Sequence, residues 1–169
     1  DNFRRVVELI RDRVIGEVSE VRVWCSRTPE GGTYLPAEGE PPAHLHWDLW
    51  LGPSPDHPYN PGYMGGCLKW NRFWDFGSGQ IGDMGSHMLD LPYWALNLRF
   101  PTSCAAEGTP VHADTCPLWL TAEWEHPAAE GRGPVKVYWY DGGKKPGMPT
   151  KVFNRDELFK GVLFKGDQG

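Results

Sequence analysis

The stretch FWDFGSGQIGDMGSHMLDLPYWALNL, which runs from Phe73 to Leu98, decides much of the fold. Within it, Gly77–Gly82 fits the spacing G-x-G-x-x-G of a dinucleotide-binding turn. Such a turn follows a buried apolar strand and precedes an acidic residue by about 20 positions. Residues 69–76 are too polar and bulky for such a strand, and no acidic residue lies between Asp90 and Glu107. We therefore interpret the glycines as the flexible entry to a helix.

The helix that follows has two stripes of different chemistry. Offsets of 4, 7 and 11 residues keep a polar stripe within one side of the helix: Asp83, His87, Asp90 and Trp94. The neighbouring stripe is apolar and is predicted to face the core: Met84, Met88, Leu91 and Ala95. Pro92 removes a backbone hydrogen bond, so we expect a kink there or a new helical segment that starts at Pro92. The two stripes predict a helix at the wall of a pocket.

Composition limits the class of protein. The chain has 169 residues and a formal net charge of −5, and its lysines and arginines do not cluster. It can form one domain with a real core, and nucleic acid is not an expected partner. No apolar run approaches the ~20 residues of a membrane span and no signal-peptide pattern opens the chain, so we expect a cytoplasmic protein. The four cysteines lack C-x-x-C spacing and are expected to be reduced and mostly buried, with a disulfide as the alternative.

Periodicity along the rest of the chain predicts an α+β fold, with an open, mainly antiparallel sheet of about five strands and helices on one face. A helix is predicted at 3–15, ended by Gly16, and a helical turn at 155–159. Strands are predicted at 17–27, 103–112, 118–126, 135–140 and 161–164, with a hairpin loop at 127–134 and a turn at 141–143. Residues 1–169 are expected to form a single partial domain, because both ends look cut.

The segment 28–66 contains eight of the sixteen prolines and little periodicity. Its tryptophans and tyrosines are too numerous for disorder, so we interpret it as an ordered loop that supplies one wall of a site. His44, His46 and Asp48 would lie on one side of a strand and are possible metal ligands. No further ligands are evident in the sequence, so a metal is not expected.

Several stretches together resemble a known family: a helix followed by Gly16-Glu17-Val18, then WDLWLGP at 47–53, RFWDFGSG at 72–79, GDMGSHMLD at 82–90 and Pro101-Thr102. They are similar to the second domain of the Gfo/Idh/MocA family, which includes glucose-fructose oxidoreductase and inositol dehydrogenase. The resemblance spans nearly the whole chain. Its most specific part is the pattern Gly-Asp-x-x-x-His-x-x-Asp.

The resemblance implies the C-terminal substrate domain of an oxidoreductase that transfers a hydride between a sugar, cyclitol or related polyol and NAD or NADP. The cofactor would be bound mainly by an N-terminal Rossmann domain, which this chain lacks, together with the lysine of the family's Glu-Lys-Pro motif. No residue of this chain is assigned to cofactor binding. The sheet face commonly forms the subunit interface, so a homo-oligomer is implied. The chain by itself is expected to be inactive.

The resemblance also implies roles for individual residues. His87 is the expected general base, and Asp83 would orient its imidazole or bind a substrate hydroxyl, although Asp83 also suits a helix N-terminus. Five residues are candidates for the substrate wall: Arg72, Trp74, Asp75, Trp47 and Tyr63. Each aromatic side chain could instead pack the core. The alternative functions are a non-catalytic carbohydrate-binding module and an oligomerisation module.

Overall fold

The computed structural model describes residues 2–147 and 159–169. The helices are α1 Asn2–Arg11, α2 Trp47–Leu51, α3 Cys67–Trp70, α4 Gly79–Met88 and α5 Asp90–Leu96, with a 3₁₀ turn at Pro61–Tyr63. The strands are β1 Val18–Cys25, β2 Ser103–Gly108, β3 Leu120–His126, β4 Val135–Tyr140 and β5 Lys160–Gly166. None of the described helices has the length and apolar character needed to cross a membrane.

The five strands form one open sheet in the order β2-β3-β4-β1-β5. Three neighbouring pairs are antiparallel, and only β1 and β4 are parallel. In that parallel pair Val21 lies opposite Val137, and Val23 lies opposite Trp139. The predicted α+β class with an open, mainly antiparallel sheet is therefore confirmed, although periodicity did not predict the parallel pair.

Helices α1, α4 and α5 cover one face of the sheet, as predicted. The strand side chains on that face are fully buried at Val21, Val23, Val137 and Trp139. The apolar helix stripe packs onto them, with Met84, Met88, Leu91 and Ala95 all less than one-tenth exposed. The hydrophobic effect of burying these side chains fixes α4 against the sheet and leaves its other side available for a site.

The long helix predicted after Gly82 is two helices, so the prediction of a single polar stripe was wrong. Helix α4 ends at Met88, and α5 begins at Asp90, not at Pro92. A start at Asp90 places Pro92 in the first turn of α5, where a missing backbone N–H costs no helical hydrogen bond. The predicted new helical segment is confirmed, but Asp90 and Trp94 belong to a different helix from His87.

The other boundaries differ by a few residues for local reasons. Helix α1 ends at Arg11 and not Ile15, because Arg13 adopts a left-handed conformation with φ of 56°. Gly16 has φ of 75°, and a Cβ there would lie 1.7 Å from Oδ1 of Asp167. Strand β4 matches the prediction, and the other strands differ by a few residues at one or both ends. The helical turn predicted at 155–159 falls mainly outside the described residues.

The segment 28–66 is ordered and contains α2 and the 3₁₀ turn. It packs on the segment that leads into α4: the backbone N–H of Asp75 donates to the Tyr34 hydroxyl, and Ser54 Oγ donates to the Asp75 carbonyl at 2.7 Å. Because Trp47–Leu51 is helical, the expectation that His44, His46 and Asp48 share one side of a strand was wrong.

Candidate functional site

The carboxylate of Asp83 lies in the second turn of α4 and is held by two neighbours. Its Oδ2 accepts a hydrogen bond from Nδ2 of Asn71 at 3.1 Å and from the Cys67 thiol at 3.4 Å. Burial raises the pKa of Cys67, and the contact with Asp83 raises it further, so the sulfur keeps its proton and donates. The orientation of Asp83 is therefore set by α3 and by Asn71.

His87 lies one turn after Asp83 and is exposed to solvent. Within residues 2–147 and 159–169 its imidazole makes no hydrogen bond, and Asp83 is not its partner. An offset of four residues nevertheless places the two side chains next to each other on the helix surface. The structure thus presents an accessible imidazole beside a carboxylate that is fixed by Asn71 and Cys67.

The glycines before Asp83 serve packing and lead into α4. The N–H of Gly79 donates to the Asn71 carbonyl at 2.8 Å. A Cβ on Gly77 would lie 2.6 Å from the Asn71 backbone, and one on Gly79, whose φ is 69°, would lie 2.8 Å from Cys116 Sγ. These close approaches explain the glycines without a dinucleotide, and α4 begins at Gly79. The interpretation of this segment as a helix entry is confirmed.

Three buried polar side chains in the segment 71–80, which leads into α4, each have an atom without a hydrogen-bond partner among the described residues: Oδ1 of Asn71, Nε of Arg72 and Oε1 of Gln80. Arg72 is otherwise engaged, since Nη1 contacts Glu30 at 2.8 Å and its guanidinium lies over the Phe73 ring at 4.7 Å. Buried polar groups are normally paired, so such a concentration marks a place where water or a ligand completes the hydrogen bonding.

Next to this turn, aromatic side chains from segment 28–66 pack on Phe73 and Phe76. Trp47 stacks on Trp50 with ring centroids 4.7 Å apart, and its indole N–H donates to the His57 carbonyl at 2.8 Å. Tyr63 is fully buried, and its hydroxyl accepts from the Leu35 N–H at 2.7 Å. Two of the predicted wall residues, Trp47 and Tyr63, thus contribute to the packing behind the wall.

His57, which the sequence analysis did not single out, pairs with Asp75. Its Nε2 lies 2.8 Å from Oδ2 of Asp75, and its ring lies 4.2 Å from the Tyr34 ring. Hydrogen bonds from His57 and then Tyr34 lower the pKa of Asp75, so the carboxylate is ionised and the Nε2–H of His57 donates to it. Burial and Asp75 together raise the pKa of Tyr34 to about 12. The sequence could have indicated His57 as a site residue, because it lies in the segment 28–66 that was predicted to form one wall of a site.

An open recess of about 350 Å³ lies between α2 and the segment around Phe76. It is lined by Trp50, Pro53, Ser54, Trp70, Asp75 and Phe76, together with Leu51. This volume falls within the ~300–1,000 Å³ of small-molecule sites. Helix α3 joins the recess to Asp83, because Trp70 lines the recess and Cys67, one turn earlier, donates to the Asp83 carboxylate.

Asp75 is the one predicted wall residue that lines this recess within the part of the chain that the structure describes. Trp74 is 39% exposed, and its indole N–H donates to the His112 carbonyl at 3.0 Å. Arg72 is largely buried against Glu30. The structure therefore places the five wall residues around one aromatic region, but on different sides of it.

The described residues contain no group of three or more His, Cys, Asp or Glu side chains that could bind a metal ion. All four cysteines are free thiols, with Cys25 and Cys116 buried, Cys67 half-buried and Cys104 exposed. The expectation of reduced cysteines is confirmed, whereas the expectation that most of them are buried holds only for Cys25 and Cys116.

Residues 23–130 match the Gfo/Idh/MocA oxidoreductase family, in the part described as the C-terminal alpha/beta domain. A search among curated proteins found no match. The matched range includes the recess, the segment 71–80 and helix α4 with Asp83 and His87, so the family assignment covers the whole candidate site. The chain therefore belongs to the Gfo/Idh/MocA family of oxidoreductases and contains its C-terminal alpha/beta domain.

Proposed function

We propose that this chain is the substrate-binding and catalytic domain of an NAD(P)-dependent oxidoreductase that acts on a sugar, cyclitol or related polyol. The observation that supports this most directly is the exposed His87 one turn after an Asp83 whose carboxylate is held by Asn71 and Cys67. Family membership supports the redox class. The aromatic recess next to α3 supports a ring-shaped substrate.

In this proposal His87 removes the proton of the substrate hydroxyl. Histidine side chains exchange protons near neutral pH, and this imidazole is accessible and has no competing hydrogen bond within the described ranges. Asp83 uses Oδ2 for its two structural partners, so Oδ1 is available to accept a second substrate hydroxyl. Together the two side chains would orient the carbon that is oxidised and accept the proton that leaves.

NAD or NADP would supply the hydride acceptor at the reacting carbon. The glycine-rich segment of this chain already serves packing, because the Gly79 N–H is bonded to the Asn71 carbonyl and a Cβ at Gly77 would lie 2.6 Å from the Asn71 backbone. We therefore assign cofactor binding mainly to a Rossmann domain. In this proposal the residues of this chain contribute the base and the substrate contacts.

The exposure of the five predicted wall residues indicates which of them would contact the substrate. We assign Asp75 and Trp74 to direct contact, since a carboxylate oxygen accepts hydroxyl hydrogen bonds and an exposed indole packs on a ring. Arg72, Trp47 and Tyr63 would support these contacts from behind, because they are engaged by Glu30, Trp50 and Leu35.

A second role, homo-oligomer formation through the open sheet face, remains a proposal. That face carries alternating charges on neighbouring strands, and Lys136 contacts Glu125 at 2.7 Å. Rows of both signs allow a second copy to pair with the first by charge complementarity. Sedimentation of the purified protein at low and high salt tests this role. A monomer at both salt concentrations would exclude it, and dimers without any ligand binding would favour the oligomerisation module.

The catalytic proposal is tested in the complete enzyme with its Rossmann domain. His87→Ala should lower kcat by about 10²–10⁴-fold, the usual contribution of a general base, and leave dinucleotide affinity unchanged. His44→Ala, which removes an exposed histidine outside the recess lining, is the matched control. Full activity of His87→Ala would refute the assignment. Substrate binding without turnover in the wild-type enzyme would favour the non-catalytic carbohydrate-binding module.

A further inference from the structure

The recess combines three aromatic rings with one ionised carboxylate. The rings belong to Trp50, Trp70 and Phe76, and the carboxylate belongs to Asp75. Its lining includes no lysine or arginine among the described residues. Trp50 is covered by Trp47 on one side and meets Phe76 edge-on at 5.0 Å. The Trp70 ring stacks on no other ring within residues 2–147 and 159–169, so it is available to a ligand.

The Asp75 carboxylate is held in place by His57, and the recess lining around it includes no lysine or arginine among the described residues. His57 donates to Oδ2 at 2.8 Å, and Ser54 donates to the carbonyl at 2.7 Å. The nearest arginine in sequence, Arg72, is paired with Glu30. The Asp75 side chain keeps 28% of its surface exposed, and this residue lines the recess. An ionised carboxylate in a recess whose described lining has no lysine or arginine attracts a cationic group of a ligand.

We infer that this recess binds the amine-bearing ring of an amino sugar or aminocyclitol. The ammonium group would donate to the Asp75 carboxylate, while Trp50, Trp70 and Phe76 contact the ring and the cation. A neutral sugar would use the same rings but leave the carboxylate without a counter-charge. The inference rests on the proposed function in one respect, namely that the recess receives the substrate of this domain.

The test compares three ligands with the same hexose skeleton in calorimetric titrations of the full chain near neutral pH: D-glucosamine, N-acetyl-D-glucosamine and D-glucose. Acetylation removes the positive charge of the amine, so the first pair isolates the ion pair. We expect glucosamine to bind about tenfold more tightly than either neutral ligand, as a charge-assisted hydrogen bond with cation–π contacts predicts. Equal affinities, or no binding of any ligand, would overturn the inference.

Two variants locate the binding. Asp75→Asn should reduce glucosamine affinity to that of N-acetyl-D-glucosamine and leave the neutral ligands nearly unchanged. Trp70→Ala should weaken all three ligands. The control is Trp94→Ala, which removes an exposed tryptophan on α5 outside the recess lining. Wild-type glucosamine preference that survives in Asp75→Asn would also overturn the inference.

Circular dichroism establishes that each variant is folded. If Asp75→Asn does not fold, the ligand preference of the wild type and the affinities of Trp70→Ala still test whether the recess binds an amine-bearing ring. The outcome is separate from that of the catalytic proposal, because binding is measured without cofactor or turnover. A loss of turnover in His87→Ala with no glucosamine preference would refute this inference alone.

Discussion

The imidazole Nε2 of His57 lies 2.8 Å from Oδ2 of Asp75, and this contact joins the proline-rich segment to the segment that leads into α4. The two residues are 18 positions apart, so the bond closes a long loop on the wall of the recess. The His57 ring also packs edge-on against Phe76 at 5.2 Å. His57 thus orients the Asp75 carboxylate and is the largest of the contacts that lower its pKa.

We predict that His57→Phe lowers the free energy of unfolding by about 1.5–3 kcal/mol, the range for hydrogen bonds to charged groups. Phenylalanine preserves the ring packing against Tyr34 and Phe76, so the loss reports the bond to Asp75. Urea denaturation measures it, with the exposed His44→Phe as control.

The same variant should alter the pH dependence of stability. The pKa of Asp75 is lowered in the fold, first by His57, so its contribution is present above the ordinary aspartate range near ~3.9 and is lost as pH falls through the folded value. The difference between the wild type and His57→Phe should therefore shrink in acid. A difference that stays constant down to the acid limit would contradict the role of the bond between His57 and the Asp75 carboxylate.

The glycines before α4 give a second prediction. Gly77→Ala should destabilise the protein by about 1–3 kcal/mol, because its Cβ would lie 2.6 Å from the Asn71 backbone. Gly85→Ala on the same helix is the control: its Cβ would make ordinary contacts with Ile81 and Leu89 at 3.4 and 3.7 Å. That variant should be neutral or more stable by up to about 1 kcal/mol. Thermal unfolding of the two variants compares them directly, and equal midpoints would contradict the packing role of Gly77.

Asp141 gives a third prediction. Its carboxylate accepts from the Leu120 N–H at 2.6 Å and from the Trp139 indole at 2.9 Å, and burial raises its pKa. Asp141→Asn replaces one acceptor by a donor and should cost about 1–3 kcal/mol. Because the pKa of Asp141 is higher in the folded than in the unfolded protein, the folded state is favoured where this carboxyl is protonated. The greater stability of the wild type relative to Asp141→Asn should therefore decrease as pH rises from ~3.9 through the pKa of Asp141 in the folded protein. Denaturation at several pH values checks the sign, and an advantage that increases over this range would contradict it.

His126 gives a fourth prediction. Acid should decrease the stability of the protein through His126, whereas it should increase the stability through Asp141. The His126 ring is buried at the end of β3, edge-on to Tyr93 at 5.4 Å. Among the described residues no hydrogen bond of normal geometry reaches either ring nitrogen, although the backbone of Arg99 is close enough to raise the pKa of His126. Burial and then nearby Arg132 lower its pKa. The fold binds this proton less well than the unfolded chain, so stability should fall as pH drops below ~6.5.

His126→Leu should remove that acid-dependent loss and leave the protein at least as stable as the wild type below pH ~6, because leucine has no unpaired polar atoms to bury. The control is His112→Leu, which changes an exposed histidine. Unfolding at neutral and acid pH distinguishes the variants. If His126→Leu showed the same acid loss as the wild type, another group would be responsible.

The amino-acid sequence by itself determined the fold class, because amphipathic periods are local properties. The stripe Met84, Met88, Leu91 and Ala95 repeats every three to four residues, and the alternation in β4 repeats every second residue. Each pattern specifies which side chains are buried before any long-range contact is known. The pattern Gly-Asp-x-x-x-His likewise placed Asp83 and His87 on one helix, since four residues nearly complete a turn.

Only the tertiary structure decided which partners these residues meet. The Asp83 carboxylate is bonded to side chains 12 and 16 residues away, and His57 reaches Asp75 across 18 residues. The parallel pairing of β1 with β4 joins strands separated by most of the chain. Periodicity contains no information on such contacts, because they depend on how loops close and how side chains compete for burial. The sequence thus identifies the helix that carries Asp83 and His87, whereas the recess beside it exists only in the folded chain.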